Sequence, residues 1–350
     1  MGIVSSAQQP HSNREYVLVD RPDDGIRDAC NVWLEAADGS LGLRVGIEAV
    51  AEEWDNHDIW FDLAFADGRV FSFRGKKPNT TRPDEQGKGS IISTDGVYFQ
   101  CLEPLKKWRV YFEGEAEELD AGLLARGAAG FESDQRELTP ITLDIELIMA
   151  GPAWIPGTLS QEAAAILAGD DGDFMSPRYE QLCRGEGQIV IANNTLNFSG
   201  NGLRIRRTGY RAFSGFRGHC WQSAVFPDGR AFGFNTYPPE RPGQPHYREG
   251  FIIEHGERIP ATPIEVPWLR QLRQRGDDVS FVLQTSDGRR IAIGGETFIN
   301  TRSRSHKALP ANFPIVQQSH AWYRWDDQIT TGMLERSSLP ELVDLPAGQP

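Results

Sequence analysis

The 350-residue chain is short of positive charge: 36 Lys and Arg stand against 49 Asp and Glu, a formal net charge of −13 at pH 7. Phosphate contact needs clustered basic side chains, so general nucleic-acid binding is excluded. An anionic membrane surface is disfavoured on the same ground. Cysteine is scarce too. Cys30, Cys101, Cys183 and Cys220 are widely spaced with no CxxC pair, so neither a zinc ribbon nor a disulfide scaffold follows. Free thiols in a reducing compartment, and hence a cytoplasmic location, are expected. There is no apolar run of 18 residues and no signal-peptide pattern at the start. The opening MGIVSS fits the N-myristoylation pattern, but so short a pattern matches by chance, and an unmodified N-terminus is expected. Also missing are a GxGxxG turn before a helix, a P-loop, a GxSxG elbow, and any HxH or HExxH spacing among the seven histidines. No metal and no cofactor is expected. The partner expected is a small hydrophobic molecule, with no membrane insertion.

What the chain does have is aromatic residues (Trp 9, Phe 18, Tyr 8) and Asp-Gly pairs. Aromatics favour strands and apolar interiors. Asp-Gly recurs at 38–39, 67–68, 95–96, 228–229 and 287–288, mostly between apolar runs. That pattern predicts hairpins with type I′ turns, and so an antiparallel all-β protein, sandwich or barrel. Helical signal is confined to the middle: SQEAAAIL over 160–167, with Ser160 as cap, and a second short helix over 176–183. A join is expected there. The organisation reads as an N-terminal domain over 1–157 (its first dozen residues flexible), a helical linker over 158–185, a C-terminal domain over 186–337 and a flexible tail over 338–350.

Period two sorts the candidate residues by face. In RGHCWQSAV, His219, Trp221, Ser223 and Val225 share one face. An imidazole beside an indole suits a dry pocket that holds a greasy molecule and moves a proton near it; plain barrel packing gives the same pattern. In WDNHDIWFDLAFA, His57, Ile59, Phe61, Leu63 and Phe65 share a face, with Asp58, Trp60 and Asp62 on the other. His57 is either a pocket imidazole, its charged form disfavoured by burial, or a strand-end histidine bonded to a loop. The aspartates either serve chemistry or mark a solvent face. In HAWYRWDD, His320, Trp322, Arg324 and Asp326 share a face, as a polar cavity belt or an outward ion pair. Glu335 is either a buried general acid with a raised pKa or an exposed strand-end carboxylate. Arg204 and Arg206 share a face that is either solvated or clamps an anionic group.

The run GNGLRIRRTGYRAFSGFRGHCWQSAVFPDGRAF resembles the central motif of the AttH-like, carotenoid 1,2-hydratase-like family of tandem lipocalin-like proteins. PLKKWRVYFEGEA and QQSHAWYRWDDQITTGMLERS are similar to segments of its uncharacterised bacterial branch. The resemblance implies two consecutive lipocalin-like antiparallel β-barrels with short helices between them, an apolar isoprenoid-type ligand, and acid chemistry without a redox cofactor. Tocopherol cyclases and fungal pericyclase-like proteins are implied as distant kin. One departure matters: the family's acidic residue before the motif histidine is here Gly218.

The expectation is therefore a hydratase, cyclase or double-bond isomerase acting on a terpenoid- or steroid-like substrate in an apolar cavity. Its catalytic candidates are His219, Asp58, Asp326 and Glu335. Its substrate-binding candidates are Trp221, Arg217, His57, Trp60, Trp322 and Arg324. The other readings are a non-catalytic carrier of a hydrophobic molecule, and an interaction protein using the barrel surface.

Overall fold

The computed structural model describes residues 10–125, 137–169, 175, 177–211, 215–239, 241–303 and 312–344. The MGIVSS start, His306 and the last residues of the expected tail lie outside them. In chain order the strands are β1 (Ile26–Ala36), β2 (Leu41–Val50), β3 (Asn56–Phe65), β4 (Arg69–Pro78), β5 (Ile91–Thr94) and β6 (Val97–Glu103). Then come β7 (Lys107–Asp120), helix α1 (Ala121–Ala125), β8 (Leu138–Met149), helix α2 (Gln161–Leu167), β9 (Arg178–Ile191) and β10 (Asn194–Tyr210). The rest are β11 (Gly218–Val225), β12 (Ala231–Thr236), β13 (Arg248–Glu254), β14 (Glu257–Glu265), β15 (Phe281–Thr285), β16 (Arg290–Arg302), β17 (Ile315–Trp325) and β18 (Gln328–Ser338).

Two antiparallel sheets result. The first runs β4-β3-β2-β1-β10-β9-β8-β7-β6-β5, and β4 pairs back onto β7, which curls the sheet round on itself. The second, β11 through β18, is a closed barrel. The fold is all-β, as the patterning predicted, and its barrels are lipocalin-like, as the resemblance implied. Each barrel is filled by its own inward residues. In the first, Phe61 stacks on Phe112 at 4.1 Å within a core of Leu, Ile and Val. In the second, Phe232 and Phe234 each lie 4.8 Å from Phe281, with Tyr323 against them. All four cysteines are free and buried; burial pushes the Cys30, Cys101 and Cys183 thiols up to about 12 and Cys220 to about 11. These are inert core thiols.

The five Asp-Gly pairs all fall between consecutive strands, but not as type I′ turns. Only the glycines have positive φ (67° at Gly39, 108° at Gly68, 90° at Gly229). Each aspartate keeps the ordinary backbone; at Asp38, Asp67 and Asp228 its carboxylate accepts the N–H two residues on. At Gly39, Gly68, Gly229 and Gly288 the glycine N–H donates to the carbonyl three residues back, a type I turn closed by a left-handed glycine.

Two local expectations change. The helix over 161–167 forms, and Ser160 Oγ accepts the Ala163 N–H at 3.0 Å. The segment expected as a second helix opens β9 instead. Tyr179, Gln181 and Cys183 point into the first barrel while Arg178, Glu180 and Leu182 face the second, and all are buried. A strand covered on both faces shows no alternation to read. The boundary expected at 185/186 therefore cuts through β9. That strand and β10 belong to the first sheet, paired with β8 and β1 (Ile26↔Tyr210 through Ala36↔Gly200). The β8–β9 connection, which carries α2, is tied to the second barrel by Glu249 of β13, whose carboxylate accepts the N–H groups of Gly157, Leu159 and Ser160 and the Trp154 indole N–H.

Candidate functional site

The face of β11 carrying His219 and Trp221 is not turned into a barrel lumen. Cys220, Gln222 and Ala224 point inward; His219, Trp221, Ser223 and Val225 point outward and are buried against the first barrel. The site is a seam between two barrel exteriors. Register places its members in rows. On the second barrel, Gln318, Glu335, Trp221 and Asn235 lie side by side across β17, β18, β11 and β12. On the first, Asp62, Arg44, Trp33, Leu203 and Leu182 cross β3, β2, β1, β10 and β9. Trp33 meets Trp221 edge-on at 6.4 Å, and Met333, Val225, Leu203 and Leu182 pack around them.

Glycines make the fit possible. A Cβ at Gly42 would overlap the His320 ring, and one at Gly46 would overlap the Trp60 indole. The spacing of these two on β2 lets an imidazole from the second barrel and an indole from β3 lie flat on the strand. Gly218 has φ 124°, and a Cβ there would collide with the Ser337 carbonyl. No acidic side chain fits at that position. The carboxylate comes instead from the neighbouring strand: Glu335 Oε1 lies 3.1 Å from His219 Nε2.

Around this imidazole–carboxylate pair the polar contacts are specific. Ser337 Oγ lies 3.2 Å from His219 Nδ1 and also accepts the His219 backbone N–H. Gln318 Nε2 donates to Glu335 Oε2 at 2.8 Å. Burial pushes the Glu335 carboxyl up, but His219, the nearby Arg44 guanidinium and Gln318 outweigh it and hold it at about 2. Glu335 is thus an ionised partner, not the neutral acid expected from a raised pKa. The Arg44 guanidinium lies between the Trp33 ring at 5.1 Å and the Trp60 ring at 5.3 Å. The Trp221 indole N–H donates to Glu180 Oε2 at 2.9 Å, and Arg178 lies 5.0 Å from the Trp221 ring centre.

A second carboxyl–imidazole pair bridges the barrels: Glu35 Oε1 of β1 lies 2.8 Å from His320 Nδ1 of β17. Glu35 is fully buried, and burial pushes its carboxyl up against the lowering effect of His320. The His320 ring is 5.9 Å from Trp33.

The sequence candidates are distributed unevenly. His219, Trp221 and Glu335 come together, with Trp60 reaching them through Arg44. Arg217 adjoins His219 in sequence at the same end and is half-buried. Trp322 packs at the barrel junction beside Gly39 and Phe298, at the far side of His320. Arg324 is exposed, and Asp326 sits in the β17–β18 turn at φ 53°, bound to Arg230 at 2.9 Å. Both are outside the seam, because the strand runs on from the interface at His320 into solvent. His57 lies on the inner face of the first barrel, its Nε2 3.4 Å from Thr81 Oγ1, and burial lowers its pKa. It is not brought to His219. Asp58 is buried on the outer face in one row with Glu48 and Lys76, so neither aspartate of β3 marks a solvent face. Asp62 is held by Arg74. Arg204 and Arg206 are neither solvated nor a ligand clamp: they are buried against Glu15 and Asp28. Glu35, Arg44, Trp33, Arg178 and Glu180 were not read from sequence. Trp33 and Glu35 share a face in CNVWLEA, the signal that marked His219 and Trp221.

The fold and seam define a tandem lipocalin-like double barrel. Among solved structures, a putative AttH from Nitrosomonas europaea is similar at TM-score 0.60 and 14% identity, covering 97% of this chain and 100% of that one. CghA, determined with Sch210972, is similar at TM-score 0.53 and 10% identity, covering 95% and 97%. No curated protein matches. A family model described as Domain of unknown function (DUF7064) matches residues 29–340, and the chain belongs to that family. Among the described residues no helix is long and apolar enough to cross a membrane.

Proposed function

We propose that the protein is a cofactor-free lyase or isomerase that performs acid/base chemistry on a hydrophobic, terpenoid- or steroid-like molecule held in the seam. One observation carries this: a His219–Glu335 imidazole–carboxylate pair bordered by Trp33, Trp60 and Trp221. Proton transfer to or from an alkene develops positive charge on carbon, which needs shielding from water. Indole faces supply both shielding and cation–π stabilisation. Glu335, held ionised, keeps the His219 imidazole oriented; His219 moves the proton. Trp221 is fixed for contact with the guest by its bond to Glu180. CghA, a protein of similar fold, is described with Sch210972, which supports a small-molecule site in double barrels of this shape.

The test begins with native mass spectrometry of protein purified from its own host, to name the bound molecule. That molecule, returned to emptied protein, is converted by wild type. His219→Ala keeps the fold and loses about 10²–10⁴ in rate. Recovery of the molecule unaltered by wild type identifies a carrier and ends the catalytic assignment.

A further inference from the structure

The seam holds a carboxyl whose surroundings oppose those of Glu335. Trp33 and Glu35 project from the same outer face of β1 toward the second barrel, and they are 1% and 0% exposed. One Glu35 oxygen is engaged by His320. The other, Oε2, is buried without a hydrogen-bond partner among the described residues, as are Trp33 Nε1 and Ser223 Oγ. Buried polar atoms are almost always satisfied, so three unsatisfied ones on facing strands of one seam point to a guest's polar or charged centre. His320 reaches Glu35 only because position 42 is glycine. The placement is built into the sequence of β2 as well as β1 and β17.

We propose that Glu35 is the proton donor of the seam, with His219–Glu335 as the acceptor and His320 as the residue that positions the donor. This rests on the catalytic reading above and gives it a direction. In a double-bond isomerisation the Glu35 O–H bond breaks as a C–H bond forms at one alkene carbon. An allylic C–H then breaks on the other side, its proton passes to His219, and the electron pair closes the shifted double bond. Proton exchange with solvent resets both groups. Glu35 and Glu335 are driven in opposite directions by their surroundings, which favours the protonated form of the first and holds the second as the carboxylate behind His219. Trp33 and Trp221, edge-on between the two pairs, take the cationic stage. The charge acting on Glu35 comes from His320 of β17; Tyr323, from inside the second barrel, and Cys183 of β9 also lie within electrostatic reach.

The direct test is infrared difference spectroscopy of the protein as purified. At pH 7 wild type is expected to show the carbonyl stretch of a protonated carboxylic acid that E35Q lacks. H320A, without the group that lowers Glu35, is expected to keep that band to higher pH, which decides the matter should E35Q not fold. No such band in wild type at pH 7 overturns the proposal. A second arm uses N,N-dimethyldodecylamine, a cationic mimic of a carbocation, titrated calorimetrically in buffers of different ionisation enthalpy. Wild type is expected to release about one proton on binding, by linkage of the new charge to Glu35, and E35Q none. Equal release from both overturns the proposal while leaving the seam as the site. Failure of wild type to bind the amine overturns the catalytic reading itself, whatever the infrared result for Glu35.

Discussion

Replacing Glu335 with glutamine tests the electrostatics of the seam quantitatively. The carboxyl is held at about 2 against an ordinary 4.5. At about 1.36 kcal/mol for each pH unit, that difference is worth about 3 kcal/mol of stability when the group is ionised. The sign follows from the direction. A carboxylate lowered in the folded state stabilises it fully above pH 4.5 and loses that contribution as pH falls toward 2. The amide side chain keeps the shape and the Gln318 neighbour but not the charge that His219 and Arg44 face. Urea denaturation of wild type and Glu335→Gln from pH 7 to pH 3 measures the difference. A gap of about 3 kcal/mol at pH 7 is expected, narrowing steadily below pH 4.5 as the wild-type carboxylate loses its stabilising contribution. A gap that stays constant across this range refutes the claim that an ionised Glu335 anchors the pair.

Gly42→Ala drives a methyl group into the His320 ring and is expected to cost about 1–3 kcal/mol, as overpacking does, read by thermal denaturation and by a changed His320 imidazole resonance in NMR. Gly218→Asp restores an acid at the position before His219, yet strained φ and the Ser337 carbonyl oppose it; destabilisation, not gain of activity, is the expected outcome of denaturation and turnover assays. Glu249→Ala strips the acceptor from three backbone N–H groups, at roughly 1–3 kcal/mol for each one left unsatisfied, and limited proteolysis is expected to cut near residues 155–160. Asp326→Asn, at an exposed turn, is expected to change stability by less than about 1 kcal/mol and to leave ligand binding as it is.

Much of the fold was legible because it is local. Asp-Gly pairs announce turns, and alternation announces which residues share a face. The parity read for His219/Trp221 and for Asp58/Trp60/Asp62 is the parity in the structure. What period two does not say is which face meets what. His219 and Trp221 look outward onto another barrel, because the inward face of β11 is already filled by Cys220, Gln222 and Ala224 and the aromatics packed over them. The site's other half sits on strands far earlier in the chain. Trp33 and Glu35 reach it through β1 pairing with β10, a contact no local pattern encodes. Residues 176–183 misled because a strand buried on both sides carries helix formers without penalty. Arg204 and Arg206 misled because their acidic partners, Glu15 and Asp28, are equally remote.

A guest molecule lies either in the seam between the barrels or within a lumen. A crystal structure of the protein with the compound extracted from it decides this most directly. Density against Trp33, Trp221 and His219, between the two barrels, is predicted. Density enclosed within the lumen of either barrel, with the Trp33–Trp221 contact undisturbed, contradicts it.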